Sequence, residues 1–283
     1  MNHKNNFLKI IMYDLKNSIR YNRIKLIILV LIDIAICISL NSEIQNYVGV
    51  GLKNSSISFG DYLLYANKGM RNFIKEEGRL FIIPFQWLVI NIFISFLIGN
   101  YSTNELYGYG QQFLIREEKK FNFIFSKYLF AIYTTVFAYL IGYIVMLVFS
   151  ISSSKILSII PNSEFSLLAY ALDIQNISVI TFIFATVIQP IIASIAISFI
   201  QITLSWIVKP IVSYLSIVIY IIISAYFQSY LLLGNHSMML RNSAVESGGL
   251  NGMVCVIIDL IVIVSTFIFG VYLFNLQDII KKN

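Results

Sequence analysis

Apolar residues in this chain fall in long blocks separated by short polar connections, without the regular apolar-polar alternation of helices on a water-soluble core. A bilayer core about 30 Å thick needs roughly 20 apolar residues per helix. Six blocks approach that length and predict six transmembrane helices, at about 24–40, 80–99, 128–149, 177–208, 211–233 and 253–274. The expected class is an all-α polytopic membrane protein, folded as a single domain over 1–283.

Smaller patterns sit around these blocks. Over 4–23, Leu8, Ile11, Leu15 and Ile19 recur at helical spacing, and Lys9, Lys16, Arg20 and Arg23 make a second, basic stripe. Residues 1–23 are therefore expected to form a separate interfacial helix, its apolar face in the headgroup layer and its cations on anionic lipid. The alternative is a cytosolic arm folded on a partner. Residues 234–252 hold four glycines and the apolar patch Met238, Met239 and Leu240, which suggests a partly immersed, re-entrant element. Pro190 is expected to kink or divide the fourth span.

Polar groups inside the spans are the candidate functional residues. Asp33 lies near the middle of the first span and Asp259 in the sixth; a charged group there costs a few kcal/mol and should face protein or water. Each is either a proton-relay or substrate contact, or a structural partner of another polar group. Gln86 and Asn91 stand in the second span. Ser194, Ser198, Gln201 and Ser205 share one helix face, which serves close helix packing, a polar lining, or both.

Composition agrees with the pattern. The chain is 58% hydrophobic and 12% charged, against about 25% charged residues in soluble domains. Its net charge of +6 sits mostly at the ends of apolar blocks, which argues against nucleic acid as a partner. The side bearing both termini and the 100–127 connection carries 13 of the 20 Lys and Arg residues, so both termini are expected in the cytoplasm. Cys37 and Cys255 each lie inside an apolar block, as packing thiols or as a pair near one membrane face.

Catalytic constellations are lacking in the sequence. No Gly is followed by Lys, which excludes a phosphate-cradling loop of the GxxxxGK[ST] kind. A zinc site of the HExxH type is excluded because the only histidines are His3 and His236. Glu76-Glu77 and Glu117-Glu118 lack the histidines and arginine spacing of intramembrane proteases and read as solvated charge. No catalytic residue, cofactor or metal site is expected in this chain.

The stretch Asn100–Lys127 combines Glu105, Gly108, the run Gly110-Gln111-Gln112-Phe113-Leu114-Ile115-Arg116, Lys119, and the sequence Phe125-Ser126-Lys127-Tyr128-Leu129 at the start of the third block. With the amphipathic N-terminal helix, six spans and a re-entrant element before the sixth, this order resembles the type-2 permeases of ATP-binding-cassette exporters over essentially the whole chain. The resemblance implies a cytoplasmic coupling helix at about 110–121. Phe113, Leu114 and Phe121 would anchor it, and Arg116 and Glu117 would rim it, in a cleft of an ATPase subunit. It further implies two ATPase subunits holding ATP and Mg, and a second permease subunit, identical or related. The transport path would then run near Asp33, Gln86 and Asn91, and Ser194, Ser198, Gln201 and Asp259 are candidates for its lining. Ile-, Asn- and Lys-rich usage suggests a bacterial plasma membrane, and the cargo an amphipathic peptide or hydrophobic compound, as in peptide export or bacteriocin immunity. The competing expectations are a non-transporting scaffold or sensor that recruits a cytoplasmic protein, and an intramembrane enzyme.

Overall fold

The structure is a computed structural model that describes residues 3–52, 57–73, 81–99, 101, 103, 120–153, 157–174 and 177–276. It is helical, with no strand among the described residues beyond isolated bridges. The helices are α1 (His3–Val50), α2 (Phe59–Asn67), α3 (Phe85–Ile98), α4 (Lys120–Ser153), α5 (Ser163–Tyr170), α6 (Val179–Ile207), α7 (Pro210–Tyr226) and α8 (Gly252–Leu276). Two 3-10 turns, Leu233–Ser237 and Met239–Arg241, lie between α7 and α8. Four helices (Met12–Gly49 within α1, then α4, α6 and α8) are long and apolar enough to cross a membrane. The apolar helices α3 and α7 are shorter, at 14 and 17 residues.

The expected break between interfacial helix and first span does not occur. α1 continues through residue 24 as one helix of 48 residues, about 72 Å long at 1.5 Å per residue. The reason is local: its first glycine is Gly49 and it contains no proline, so nothing ends the helix before Gly49 and Gly51, the latter at φ 117°. α3 starts later than residue 80 because Pro84 holds the chain non-helical at its cap, and it ends at Gly99. α7 ends at Tyr226 rather than 233, where Arg241 takes over its last carbonyls, as described below.

Pro190 alters α6 as its chemistry requires. The helix passes from α over Val179–Ile183 to π over Phe184–Ile188, then returns to α from Gln189. Proline has no N–H, so the carbonyl four residues earlier, Thr186, loses its helical donor. Asn67, at the end of α2, supplies the replacement: its Nδ2 donates to Thr186 O at 3.1 Å. Tyr143 of α4 donates to the next carbonyl, Val187 O, at 3.3 Å.

α6 is the hub of the bundle. One core packs α1, α2, α4 and the start of α6; a second packs α4, α6 and α8; a third packs α3, α6, α7 and the first 3-10 turn. Outside, apolar side chains face away from the protein: Ile257, Ile261, Val264 and Ile268 of α8 are all more than half exposed, as lipid-facing positions would be.

Two polar connections lock together at one end. Ser58 and Asp61 form a capping box at the start of α2, and Asp61 Oδ1 also accepts from Asn162 N at 2.8 Å. Gly60 lies against the backbone of Ile159 and Pro161 so closely that a Cβ would sit 2.0 Å from the Ile159 carbonyl oxygen. α2 is thus buried among α1, α3 and α4 although its sequence gives no long apolar run.

Candidate functional site

The Asn100–Lys127 connection meets the bundle at a buried cluster on α1. Lys127 Nζ lies 2.8 Å from Asp14 Oδ1 and 3.1 Å from Oδ2, and both side chains are about 2–3% exposed. Tyr101 donates to the same Asp14 oxygen at 2.7 Å and stacks on Phe130, while the Lys127 ammonium faces the rings of Tyr101 and Phe123. Both ends of the connection therefore converge on one carboxylate of α1. Of the expected docking residues, Phe113, Leu114, Arg116 and Glu117 lie outside the described residues. Phe121 belongs to the first turn of α4, half exposed, beside Phe125 and Phe267.

The polar face of α6 turns inward and is bonded within the chain. Ser194 Oγ meets Tyr139 OH of α4 at 2.9 Å and donates to Asn91 Oδ1 of α3 at 3.4 Å. Asn91 Nδ2 caps Trp87 O at 2.9 Å. Ser198 donates to Ser194 O and meets Thr135 Oγ1 at 3.3 Å. Gln201 Nε2 donates to Ser95 O of α3 at 2.9 Å, while its Oε1 is buried without a partner. Ser205 returns its hydroxyl to Ile202 O. This face ties α3, α4 and α6 together by side-chain hydrogen bonds.

Asp33 sits beside that network but apart from it. It is 2% exposed, and its Oδ2 has no hydrogen-bond partner. It lines a cavity of about 20 Å³ with Asn67, Tyr139, Gly142, Tyr143 and Met146. That is room for one water molecule, which needs roughly 10–15 Å³. Gly142 makes the space: a Cβ there would lie 3.3 Å from Asp33 Oδ2. Tyr139 belongs both to this cavity and to the Ser194–Asn91 network, so the two are neighbours through one ring.

Gln86 and Asp259 lie elsewhere. Gln86 Nε2 donates to Tyr65 OH at 2.7 Å, and Tyr65 OH meets Ser39 Oγ at 2.8 Å. Gln86 also borders an open groove of about 860 Å³, lined with Lys68, Arg71, Phe73 and Tyr170. Asp259 is fully buried and paired with His236, 2.8 Å from its Nδ1. Cys37 and Cys255 are both buried free thiols.

Several of these groups had signals in the sequence that hydropathy does not weigh. Asp14 is the one acidic residue in the first 32 positions, within an otherwise basic segment. Arg241 is the one cation between Lys209 and Lys281, yet it is 1% exposed. It gives Nη1 and Nη2 to the carbonyls of Ser224, Ala225 and Phe227 and to Asn235 Oδ1, which closes the C-terminus of α7. Burial pulls its guanidinium down to about 10, so it remains charged at neutral pH. Among the described residues no group of three His, Cys, Asp or Glu gathers to hold a metal ion. Comparison with protein-family models, with curated proteins and with solved structures gives no match for this chain.

Proposed function

We propose that this chain is the membrane-spanning permease subunit of an ATP-driven exporter, moved by two separate ATPase subunits that hold ATP and Mg. Its termini lie in the cytoplasm of a bacterial cell, and α3 and α7 complete six crossings with the four longer helices. Two permease subunits, identical or related, form the path for an amphipathic peptide or hydrophobic compound. Docking falls on Phe113, Leu114, Arg116 and Glu117, with Phe121 at the margin.

The observation that carries this reading is the junction at Asp14. Tyr101 and Lys127 bracket the proposed docking segment and both bond to one carboxylate of α1. A displacement of the segment is then passed to α1 through a charged, buried tie, and not lost in a loose loop. α1 is rigid and uninterrupted, and it places Asp33 about 28 Å along the axis from Asp14, 19 residues on at 1.5 Å each. The helix that receives the push is the one that holds the buried carboxylate and its cavity.

The test is purification of the full chain from its native membrane, with identification of bound subunits by their nucleotide-binding motifs and ATPase activity. Replacing Phe113, Leu114 and Arg116 together by Ala is expected to lower the recovered ATPase at least tenfold. Asp14→Asn is expected to keep the ATPase bound while transport falls. Recovery of a stoichiometric partner without nucleotide-binding motifs would replace the permease reading with that of a recruiting scaffold.

A further inference from the structure

The segment between α7 and α8 is folded into the bundle, not laid over it. Leu233, Gly234, Asn235, His236 and Ser237 are all buried. α3 holds the turn through Trp87 Nε1, which donates to Ser237 Oγ at 2.8 Å. α7 holds it through Tyr220 OH, which accepts from Leu233 N at 2.8 Å, and through the carbonyls that bind Arg241. Gly234 lets the backbone touch its neighbours, since a Cβ there would fall 2.6 Å from Ser224 Cβ and 3.2 Å from the Trp87 ring. The tie to α8 is the His236–Asp259 pair.

The donors and acceptors of that pair fix a proton count. His236 Nε2 lies 3.0 Å from Tyr230 O, and a backbone carbonyl only accepts, so Nε2 carries hydrogen. His236 Nδ1 lies 2.8 Å from Asp259 Oδ1. With Nε2 protonated, a neutral imidazole presents a lone pair at Nδ1, which a carboxylate repels. The contact is attractive only if a further proton lies between them, on Nδ1 of an imidazolium or on the Asp259 carboxyl. Both side chains have no exposure, so water does not substitute for it.

We infer that His236 and Asp259 form a binding site for a single proton, and that this proton latches the 233–237 turn to α8. Loss of the proton to solvent takes the pair from net zero to net minus one and sets a lone pair against an acceptor at Nδ1 or at Nε2. The sign follows: the latch is strongest at low pH and weakens as pH rises through the titration of the pair, which belongs to both groups together. The groups facing the pair are Cys255 on α8 and Tyr220 on α7, with the backbone carbonyl of Tyr230 at His236 Nε2. Arg241 is the nearby fixed cation, and its Nη1 and Nη2 are directed at the α7 carbonyls and Asn235. α3 and α6 carry no titratable side chain. The inference does not depend on the permease reading.

Trp87 is a built-in reporter, and the chain has two tryptophans, so Trp206→Phe leaves it alone. In the purified full chain in lipid nanodiscs, its emission is expected to shift to the red as pH is raised through a series from about 5 to 8. Asp259→Asn places an amide N–H against Nδ1 and needs no extra proton, so it should hold the low-pH emission throughout. Hydrogen exchange of the unsubstituted chain gives an independent measure. Corrected for intrinsic rates, protection at Asn235 and Met238 should fall as pH rises, by up to about tenfold per pH unit between the titrations of the open and the latched pair, and level off above them, as one-proton linkage requires. A flat profile in both measurements, or an Asp259→Asn chain that titrates as the parent does, would overturn the proton site.

Discussion

Two buried pairs stand at different places in this molecule, and they do not behave alike. Asp14–Lys127 joins α1 to the start of α4, and His236–Asp259 joins the 3-10 turn to α8. Each spans 2.8 Å, and each is cut off from water. In the first, an ammonium meets a carboxylate and Tyr101 adds a third group to the carboxylate. In the second, attraction exists only while one exchangeable proton is present. Chemistry, not distance or burial, separates a permanent tie from a releasable one.

The largest expected effect comes from breaking the permanent tie. Asp14→Leu leaves the Lys127 ammonium buried without a counter-charge, which costs about 3–5 kcal/mol. It should appear as a large fall in Tm of the purified chain. Adding Lys127→Met should recover most of that loss, because an apolar pair of similar volume replaces a desolvated ion pair at little net cost. If the single and double variants lose the same stability, the tie acts through packing alone. Asp259→Asn is expected to cost about 1 kcal/mol or less, the net worth of one hydrogen bond, since the amide still bonds Nδ1. Equal Tm losses in Asp14→Leu and Asp259→Asn would erase the distinction between the pairs.

Helical class and the positions of the long apolar helices were legible because each rests on local composition. α8 illustrates this: Ile257, Ile261, Val264 and Ile268 face outward along its length, and its start falls within one residue of the block seen in the sequence. The continuity of α1 through residue 24 is not legible because the change from basic stripe to apolar block looks like a boundary, although no Gly or Pro stands there to make one. α2 was missed for the opposite reason. Its residues, Phe59 to Asn67, are polar enough to read as a loop, and their burial depends on Gly60 and Asp61 meeting residues about 100 positions later. The polar groups were found more readily than their partners. Ser194, Ser198 and Gln201 were visible as a face, but Tyr139, Thr135 and Ser95, which bond that face, come from helices whose relative placement no periodicity encodes. Asn67 and Thr186 show the same limit, since the proline predicts an orphan carbonyl but not the donor that reaches it.

The smallest expected effect on stability falls between the two pairs, at Gly142. Alanine in mid-helix gains about 1 kcal/mol over glycine in helix propensity. Against this, the new Cβ would stand 3.3 Å from Asp33 Oδ2 and 3.5 Å from Oδ1, so the carboxylate has to yield by a few tenths of an ångström. Oδ2 has no hydrogen bond to lose in moving. The cost should be at the low end of overpacking, about 1 kcal/mol, and the net change in Tm close to zero. Gly270→Ala is the control with the opposite outcome: its Cβ would meet Tyr128 OH, which is held by Thr203 and the Thr266 carbonyl and has nowhere to go. Gly142→Ala therefore fills the cavity beside Asp33 at nearly constant stability. A fall in transport without a fall in Tm would place that cavity in the path, whereas wild-type transport would leave Asp33 a structural carboxylate on the helix that α4 and the Asn100–Lys127 connection grip.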